Sequence, residues 1–112
     1  MNISESKQGN VTILKIQGKL DATSSPELDK HLSSLVEKGT RQIALDLASL
    51  DYVSSAGLRV FLSAAKRLKQ VHGKLALANL SAQVQQIFDI AGFASILPVF
   101  KTVNEAVDAC AM

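Results

Sequence analysis

The sequence has one cysteine, two histidines and no tryptophan among its 112 residues. The single cysteine, Cys110, excludes an internal disulfide bond and a cysteine metal cluster, and it suits a reducing compartment such as the cytoplasm. Neither His31 nor His72 has a carboxylate or thiol at the spacing of a metal site, so we expect no metal and no cofactor. The polar N-terminus lacks the basic and apolar regions of an export signal, which also favours the cytoplasm.

Long hydrophobic runs and a strong excess of one charge are absent as well. Hydrophobic residues make up 47% of the chain, yet no stretch of about 18 or more is apolar, so we expect a soluble protein without a membrane span or a membrane partner. Twelve Lys and Arg against ten Asp and Glu give a formal net charge of +2, which is no reason to expect direct binding to nucleic acid. The length predicts one domain over residues 1–112.

Apolar residues recur in turn with the period of strands and of helices, and this alternation predicts the fold. Strands are predicted at 3–7, 11–16, 43–47, 74–78 and 96–100. Four helices are predicted to start at Ser24 or Ser25, at the Ser54-Ser55 pair, at Ser81 and at Thr102, and Gly39, Gly73 and Gly92 mark the ends of the first three. This order predicts an α/β fold with a mostly parallel sheet of about five strands. A hairpin turn at Gly9-Asn10 makes the first strand an antiparallel strand at the N-terminal edge.

Binding sites in open sheets of this kind gather beyond the carboxyl ends of the strands. Three segments fall at such ends, namely Asp21, the loop 51–57 and residues 79–81. Asp46 lies within or at the end of its strand and is expected to point the same way. We therefore predict that these segments share one edge of the molecule.

The pair Ser54-Ser55 lies where the third strand passes into the second helix. Unpaired backbone N–H groups point outward at such a junction, which suits a phosphate. If Ser54 is the N-cap, Ser55 is the first helical residue and keeps a free hydroxyl. Gly57 in the first turn costs about 1 kcal/mol relative to alanine, which suggests the close approach of another backbone or of a bulky ligand. A serine pair before an apolar helix is also common as a simple cap, so the residues alone leave both interpretations open.

The second helix ends in a basic cluster. The cluster consists of Lys66, Arg67, Lys69, His72 and Lys74. It is either a solvated helix face or a docking surface for an acidic partner. The apolar side chains expected to point inward from this helix are Leu58, Phe61, Leu62, Ala65 and Leu68.

The segment 52–59, Tyr-Val-Ser-Ser-Ala-Gly-Leu-Arg, together with the apolar run 43–47 before it, resembles the signature of the STAS family of anti-sigma factor antagonists. Residues 18–21, Gly-Lys-Leu-Asp, match the Gly-x-Leu-Asp that this family carries near the end of its second strand. The order of elements and the chain length also agree with the family. The resemblance therefore covers essentially the whole chain.

The resemblance implies a switch that is operated by a kinase. In this family the unphosphorylated antagonist binds an anti-sigma factor that is itself an ATP-dependent serine/threonine kinase, and the sigma factor is released. Phosphorylation of the serine two positions before the motif glycine, which is Ser55 here, switches binding off, and a PP2C-type phosphatase reverses it. Asp21 corresponds to a family acid beside the phosphoacceptor and would hold the loop or orient the hydroxyl. The partner-binding residues implied by the resemblance are Asp21, Ser54, Ser55, Ala56, Gly57, Leu58 and Arg59.

The motif departs from the family pattern at two positions. Many members read Asp-Ser-Ser-Gly or Asp-Ser-Thr-Gly, whereas this chain reads Ser54-Ser55-Ala56-Gly57, so Ser54 is a second candidate for the phosphorylated serine. The alternative function is a constitutive scaffold or accessory subunit of the same fold, in a stress-sensing assembly or a lipid-transport complex, with Ser55 only a helix cap.

Enzymatic and receiver functions fit the sequence less well. A hydrolase would need a base beside Ser55, and the chain has neither a Gly-x-Ser-x-Gly elbow nor a nearby histidine. A phosphoaspartate receiver would need an acidic pair after its first strand, where only Asp21 stands. We therefore predict a regulatory binding module and not an enzyme.

Overall fold

Six strands form the sheet in the computed structural model, which describes residues 1–111 and only the backbone of Ala94. The strands are β1 (Asn2–Gln8), β2 (Val11–Leu20), β3 (Gln42–Asp46), β4 (Leu50–Val53), β5 (Lys74–Ala78) and β6 (Val99–Phe100). The helices are α1 (Ser25–Glu37), α2 (Ser55–Gln70), α3 (Ala82–Ala91) and α4 (Val103–Ala111), with a short 3₁₀ helix at Phe93–Ser95. Met112, the last residue of the domain predicted over 1–112, lies outside the described residues.

The sheet has the predicted architecture. Its order is β1-β2-β3-β5-β6, with β4 paired to β2 outside this path. Only β1 runs antiparallel to its neighbour, because the turn at Gly9-Asn10 reverses the chain, and Gln8 pairs with Val11. All other pairs are parallel. The prediction of a mostly parallel sheet with an antiparallel N-terminal edge strand is confirmed.

Strand β4 corrects the prediction of a loop over 51–57. Strand β2 is ten residues long, and β3 pairs only with its residues 12–15. The end of β2 is therefore available to a second partner, and β4 pairs there, with Gly18 opposite Leu50 and Leu20 opposite Val53. The alternation of buried and exposed residues that reveals a strand is missing in β4, because its two apolar ends are buried while Asp51 and Tyr52 between them are exposed.

The last strand is shorter than the predicted 96–100. Only Val99 and Phe100 pair with β5, and the 3₁₀ helix occupies Phe93–Ser95 just before them. Pro98 has no backbone N–H, so it cannot continue the ladder as a donor. Its carbonyl accepts a hydrogen bond from Leu77 N at 2.9 Å. The strand therefore starts immediately after the proline, at the edge opposite to β1.

The two faces of the sheet are covered differently. Helix α4 packs on β3 and β5, where the strands present the small side chains of Ala44, Ala76 and Ala78. Cys110 of α4 is buried in this layer, which raises the pKa of its thiol, and Sγ donates to the carbonyl of Ile43 at 3.5 Å. The larger core lies on the other face, under α1, α2 and α3. Its largest fully buried side chains include Leu14, Leu20, Leu45, Phe61 and Phe88.

Helix α2 turns a slightly different face inward than predicted. Leu58, Phe61 and Leu68 are buried as expected, and Gly57, Val60 and Ala64 are buried as well. Leu62 and Ala65 are only partly buried. Among residues 1–111, no helix is both long enough and apolar enough to cross a membrane.

Gly73, just after α2, is required by close packing. A Cβ at this position would lie 2.5 Å from the carbonyl oxygen of Arg41 and 2.8 Å from Leu68 Cδ2. That carbonyl also accepts the Lys74 N–H at 2.7 Å, at the start of the pairing between β3 and β5, so it has little freedom to move.

Gly73→Ala should therefore lower the free energy of unfolding by about 1–3 kcal/mol, measured by urea denaturation. Gln70→Ala, at an exposed position of the same helix, serves as the control and should change it by no more than about 0.5 kcal/mol. Equal stability of the two variants would contradict this account.

Candidate functional site

The carboxyl ends of β2, β3, β4 and β5 lie side by side and bring the predicted segments together. Ser54 N donates to Leu20 O at 2.8 Å, which places the start of α2 next to Asp21. The Ser81 hydroxyl lies 3.4 Å from Leu50 O and links the start of α3 to β4. The three segments predicted to share an edge therefore do share one.

Ser54 and Ser55 have different roles at the entrance to α2. Ser54 is the N-cap, with extended backbone (φ −88°, ψ 173°), and its Oγ accepts a hydrogen bond from Gly57 N at 3.3 Å. Ser55 is the first helical residue and is exposed. Within residues 1–111 its hydroxyl has no hydrogen-bond partner. The cap is thus supplied by Ser54, and Ser55 is not needed for it.

Asp21 holds the loop between β2 and α1. Its Oδ1 accepts hydrogen bonds from Thr23 N and Ser24 N, each at 3.0 Å, and lies 3.1 Å from the Ser24 hydroxyl. These bonds, that of the Ser24 backbone first, hold the pKa of the Asp21 carboxyl below its ordinary value. Asp21 was expected either to hold the loop or to orient the Ser55 hydroxyl. Its hydrogen bonds support the first of these roles.

The start of α1 differs from the usual capped helix. Ser24 occupies the N-cap position, but its side chain makes no bond into the helix. Its Oγ instead accepts the Asp21 N–H at 3.0 Å and lies 2.9 Å from Lys19 O, to which it can donate. Pro26 follows in the first turn, where the missing N–H of a proline is not needed.

Gly57 allows α2 to pack closely on the ends of β2 and β4. It is buried, and a Cβ there would lie 2.8 Å from Leu20 Cγ and Cδ2 and 2.8 Å from Val53 Cγ2. We expected that a nearby backbone or ligand would require this glycine. The structure shows that two core side chains, those of Leu20 and Val53, require it instead. This packing holds the first turn of α2, and with it Ser55, against the end of β2.

The remaining motif residues divide between core and surface. Leu58 is only 6% exposed and belongs to the core, whereas Arg59 is exposed. Ala56 and Arg59 line one side of a groove of about 350 Å³ between the N-terminal parts of α1 and α2. Pro26 and Asp29 of α1 line the other side. Periodicity did not indicate these two residues, because it does not tell which helix lies beside α2.

Other polar residues at this edge stabilise loops. Asp46 Oδ1 accepts hydrogen bonds from Ala48 N at 3.2 Å and from Asn79 Nδ2 at 3.3 Å. Asn79 itself has a left-handed backbone with φ 61°. Over the described range 1–111, no three His, Cys, Asp or Glu side chains come together in a way that could hold a metal ion.

Comparison with known proteins identifies a matching family and sequence relatives with related names. Residues 2–106 match the family described as STAS domain. BtrV of Bordetella bronchiseptica, which carries the provisional name of anti-sigma factor antagonist, is 43% identical over 99 residues that cover 88% of this chain and 85% of BtrV. The anti-sigma-B factor antagonist of Staphylococcus aureus is 30% identical over 99 residues that cover 88% of this chain and 92% of that protein.

Solved structures share the fold at lower sequence identity. The anti-sigma factor antagonist SpoIIAA in its unphosphorylated form is 19% identical, with a TM-score of 0.74 and coverage of 96% of each chain. The phosphorylated form of SpoIIAA, described as a Bacillus cell fate determinant, is 20% identical, with a TM-score of 0.73 and coverage of 96% of this chain and 98% of that chain. The arrangement of six strands and four helices is thus that of a known fold.

The packing around Gly57 can be tested by adding one methyl group. Gly57→Ala gains about 1 kcal/mol of helix propensity, but overpacking in a core costs about 1–3 kcal/mol. Because Leu20 is fully buried, we expect the clash to outweigh the gain and the free energy of unfolding to fall by up to about 2 kcal/mol. In a Leu20→Ala background, which removes two of the three clashing atoms, Gly57→Ala should cost less. Urea denaturation of the four proteins of this cycle measures the coupling, and additive effects would contradict the packing account.

The hydrogen bonds of Asp21 predict how stability depends on pH. The pKa of this carboxyl is lower in the folded protein, so its contribution to stability is complete above the unfolded-state pKa of about 3.9. The contribution is lost as the pH falls through the lower, folded-state pKa. Asp21→Ala should therefore be less stable than the parent at pH 7, and the difference should narrow in acid.

Urea denaturation at pH 7, 5 and 3 measures this difference. Asp108→Ala, which removes the same charge from an exposed position of α4, controls for net charge. If the free energies of unfolding of Asp21→Ala and the parent differ by the same amount at every pH, the charged form of Asp21 is not the source of the difference.

Proposed function

Because this chain belongs to the STAS domain family, we propose that it is an anti-sigma factor antagonist whose binding is switched off by phosphorylation of Ser55. The unphosphorylated protein binds an anti-sigma factor that is also a serine/threonine kinase, and the sigma factor is released. A PP2C-type phosphatase removes the phosphate. The names of BtrV and of the Staphylococcus aureus relative support the antagonist function, and the phosphorylated form of SpoIIAA supports this kind of control.

The observation that carries the proposal is the exposed, unbonded hydroxyl of Ser55 at the first position of α2. A phosphate there adds about −1.5 to −2 charges. The N-terminal end of a helix stabilises negative charge, and its first N–H groups have no intrahelical partners. The domain therefore stays folded after modification, because Ser54 still caps the helix.

Ser55 is favoured over Ser54 as the phosphorylated residue. The Ser54 oxygen already accepts the Gly57 N–H, and the residue is partly buried. A phosphate on Ser54 would have to keep or replace this cap. Such caps contribute about 0.5–2 kcal/mol. Modification of Ser55 does not carry this cost.

Switching works because the phosphate occupies the surface that the partner contacts. A docked partner would have to desolvate the phosphate and face its charge. A thousandfold loss of affinity corresponds to about 4 kcal/mol, which charge repulsion and desolvation in an interface can supply. Ser55, Arg59 and Ala56 offer direct contacts, while Gly57 and Leu58 act by placing them.

The protein itself acts by binding and not by catalysis. Its chain from 1 to 112 works as one STAS domain. We place it in the cytoplasm, where the kinase partner has access to ATP. The alternative function, a constitutive scaffold, assigned the helix cap to Ser55. Ser54 makes that cap instead, so no feature of the site favours the scaffold. The experiment below distinguishes the two functions.

Variants of the two serines test the switch. The parent, Ser55→Ala and Ser54→Ala are incubated with the cognate kinase and ATP, and phosphopeptides are identified by mass spectrometry. The parent and Ser54→Ala should carry phosphate on Ser55, and Ser55→Ala should carry none. A phosphorylated Ser55→Ala variant would identify Ser54 as the acceptor. Binding without any phosphorylation of the parent would favour the constitutive scaffold.

Affinity for the same kinase tests the consequence. Ser55→Asp should bind more than tenfold more weakly than the parent, which is about 1.4 kcal/mol, while Ser55→Ala should bind at least as tightly as the parent. Ser6→Asp adds the same charge on the exposed strand β1 and should bind like the parent. Isothermal titration calorimetry measures the affinities. Equal affinity of Ser55→Asp and the parent would contradict the proposal.

A further inference from the structure

The charges of α2 are all of one sign. The helix carries Arg59, Lys66, Arg67 and Lys69, and none of the ten acidic residues of the chain. The whole chain has a formal net charge of only +2. Helix α2 therefore has a formal charge of +4, and the remaining residues together have a formal net charge of −2 (+2 minus +4).

Much of this charge lies on one face together with Ser55. Residues 55, 59, 62, 66 and 69 follow one another at spacings of four, three, four and three, which puts them in a single row along a helix. Ser55, Arg59, Lys66 and Lys69 are exposed and Leu62 is partly buried. We call this row the α2 stripe. At 1.5 Å per residue it extends about 20 Å from Ser55.

The stripe is not explained by stabilisation of the helix itself. Cations in the last turn interact favourably with the helix dipole, which accounts for Lys69. Arg59, however, lies in the second turn, towards the end where a cation is unfavourable. Within the described residues, the side chains of Arg59, Lys66 and Lys69 have no hydrogen bond or ion pair. Arg67, in contrast, points to α1, where it donates to Ser33 and lies 3.8 Å from Asp29.

The surface along the stripe is concave. A groove of about 550 Å³ runs beside it, lined by Arg59, Leu62, Ser63, Lys66, Arg67 and Gln70. A basic groove with an apolar patch at Leu62 fits a protein surface that carries carboxylates. Nucleic acid is less well matched. Arg59, Lys66 and Lys69 could neutralise only about three phosphates, so few counterions would be released from the nucleic acid.

We propose that the α2 stripe docks an acidic surface of the anti-sigma factor and extends the contact beyond the motif around Ser55. This inference rests on the proposed function and names the chemistry of its partner. It also gives a reason for control by phosphate. A phosphate at one end of the stripe repels an acidic surface directly and offsets about two of the three positive charges that attract it.

Charge reversal on the stripe tests the proposal. Lys66→Glu/Lys69→Glu is compared with Lys7→Glu/Lys30→Glu, which changes the net charge equally at exposed positions of β1 and α1. Association with the kinase used above is followed by stopped flow at 20 mM and 500 mM salt. Lys66→Gln/Lys69→Gln provides a milder change, and thermal unfolding of each variant verifies that it is folded.

The stripe reversal should lower the association rate constant at 20 mM salt at least about tenfold, and the control reversal less than about threefold. At 500 mM salt the Debye length falls to about 4 Å, so attraction between the stripe and its partner is largely screened and the stripe variant should approach the parent to within about twofold. The glutamine variant should lie between the parent and the reversal.

Other outcomes would overturn the inference and separate it from the proposed function. Equal losses in the stripe and control reversals would show an effect of net charge alone, and no loss in either would show that the stripe is not in the interface. Binding of single-stranded DNA that the stripe reversal abolishes would assign the stripe to nucleic acid. If the kinase does not bind the parent at either salt concentration, the proposed function fails, and the inference fails with it.

Discussion

The packing of Gly57 against Leu20 and Val53 is the constraint on which the site depends. These contacts hold the first turn of α2 against the ends of β2 and β4, so the position of Ser55 is set by the core of the protein. A loop would present a serine with more freedom, but a helix that is fixed to the sheet presents it in one orientation. The exposed residues of the motif therefore depend on the buried ones next to them.

The stabilising cap and the proposed phosphorylation site belong to different serines at this position. Ser54 satisfies a backbone donor of the helix, and Ser55 keeps its hydroxyl for solvent. Asp21 holds the neighbouring loop through the backbone of Thr23 and Ser24. Because these interactions do not involve the Ser55 hydroxyl, a group can be added to it or removed from it without rebuilding the fold. That separation is what a reversible switch requires.

The same helix carries both the proposed phosphorylation site and the proposed docking surface. Its exposed row begins at Ser55 and continues through cations that have no acidic partner in the described part of the chain. A phosphate at the start of this row adds negative charge where the proposed contact begins to form, and its direct repulsion is screened beyond about one Debye length, or roughly 8 Å at physiological ionic strength. Local repulsion and weaker long-range attraction then act in the same direction.

The amino-acid sequence was enough to predict the α/β class, the antiparallel first strand, the helix caps at Ser54 and Ser81, and the edge shared by the site segments. These features follow from local patterns of apolar residues and from the rule that parallel strands end at the same side. Three features could be read only from the folded chain: β4 pairs with the end of β2, α1 forms the other wall of the groove, and Leu20 and Val53 are the side chains that require Gly57. Each of these depends on segments far apart in the chain, and a periodic pattern shows that a residue is buried without showing what it is buried against.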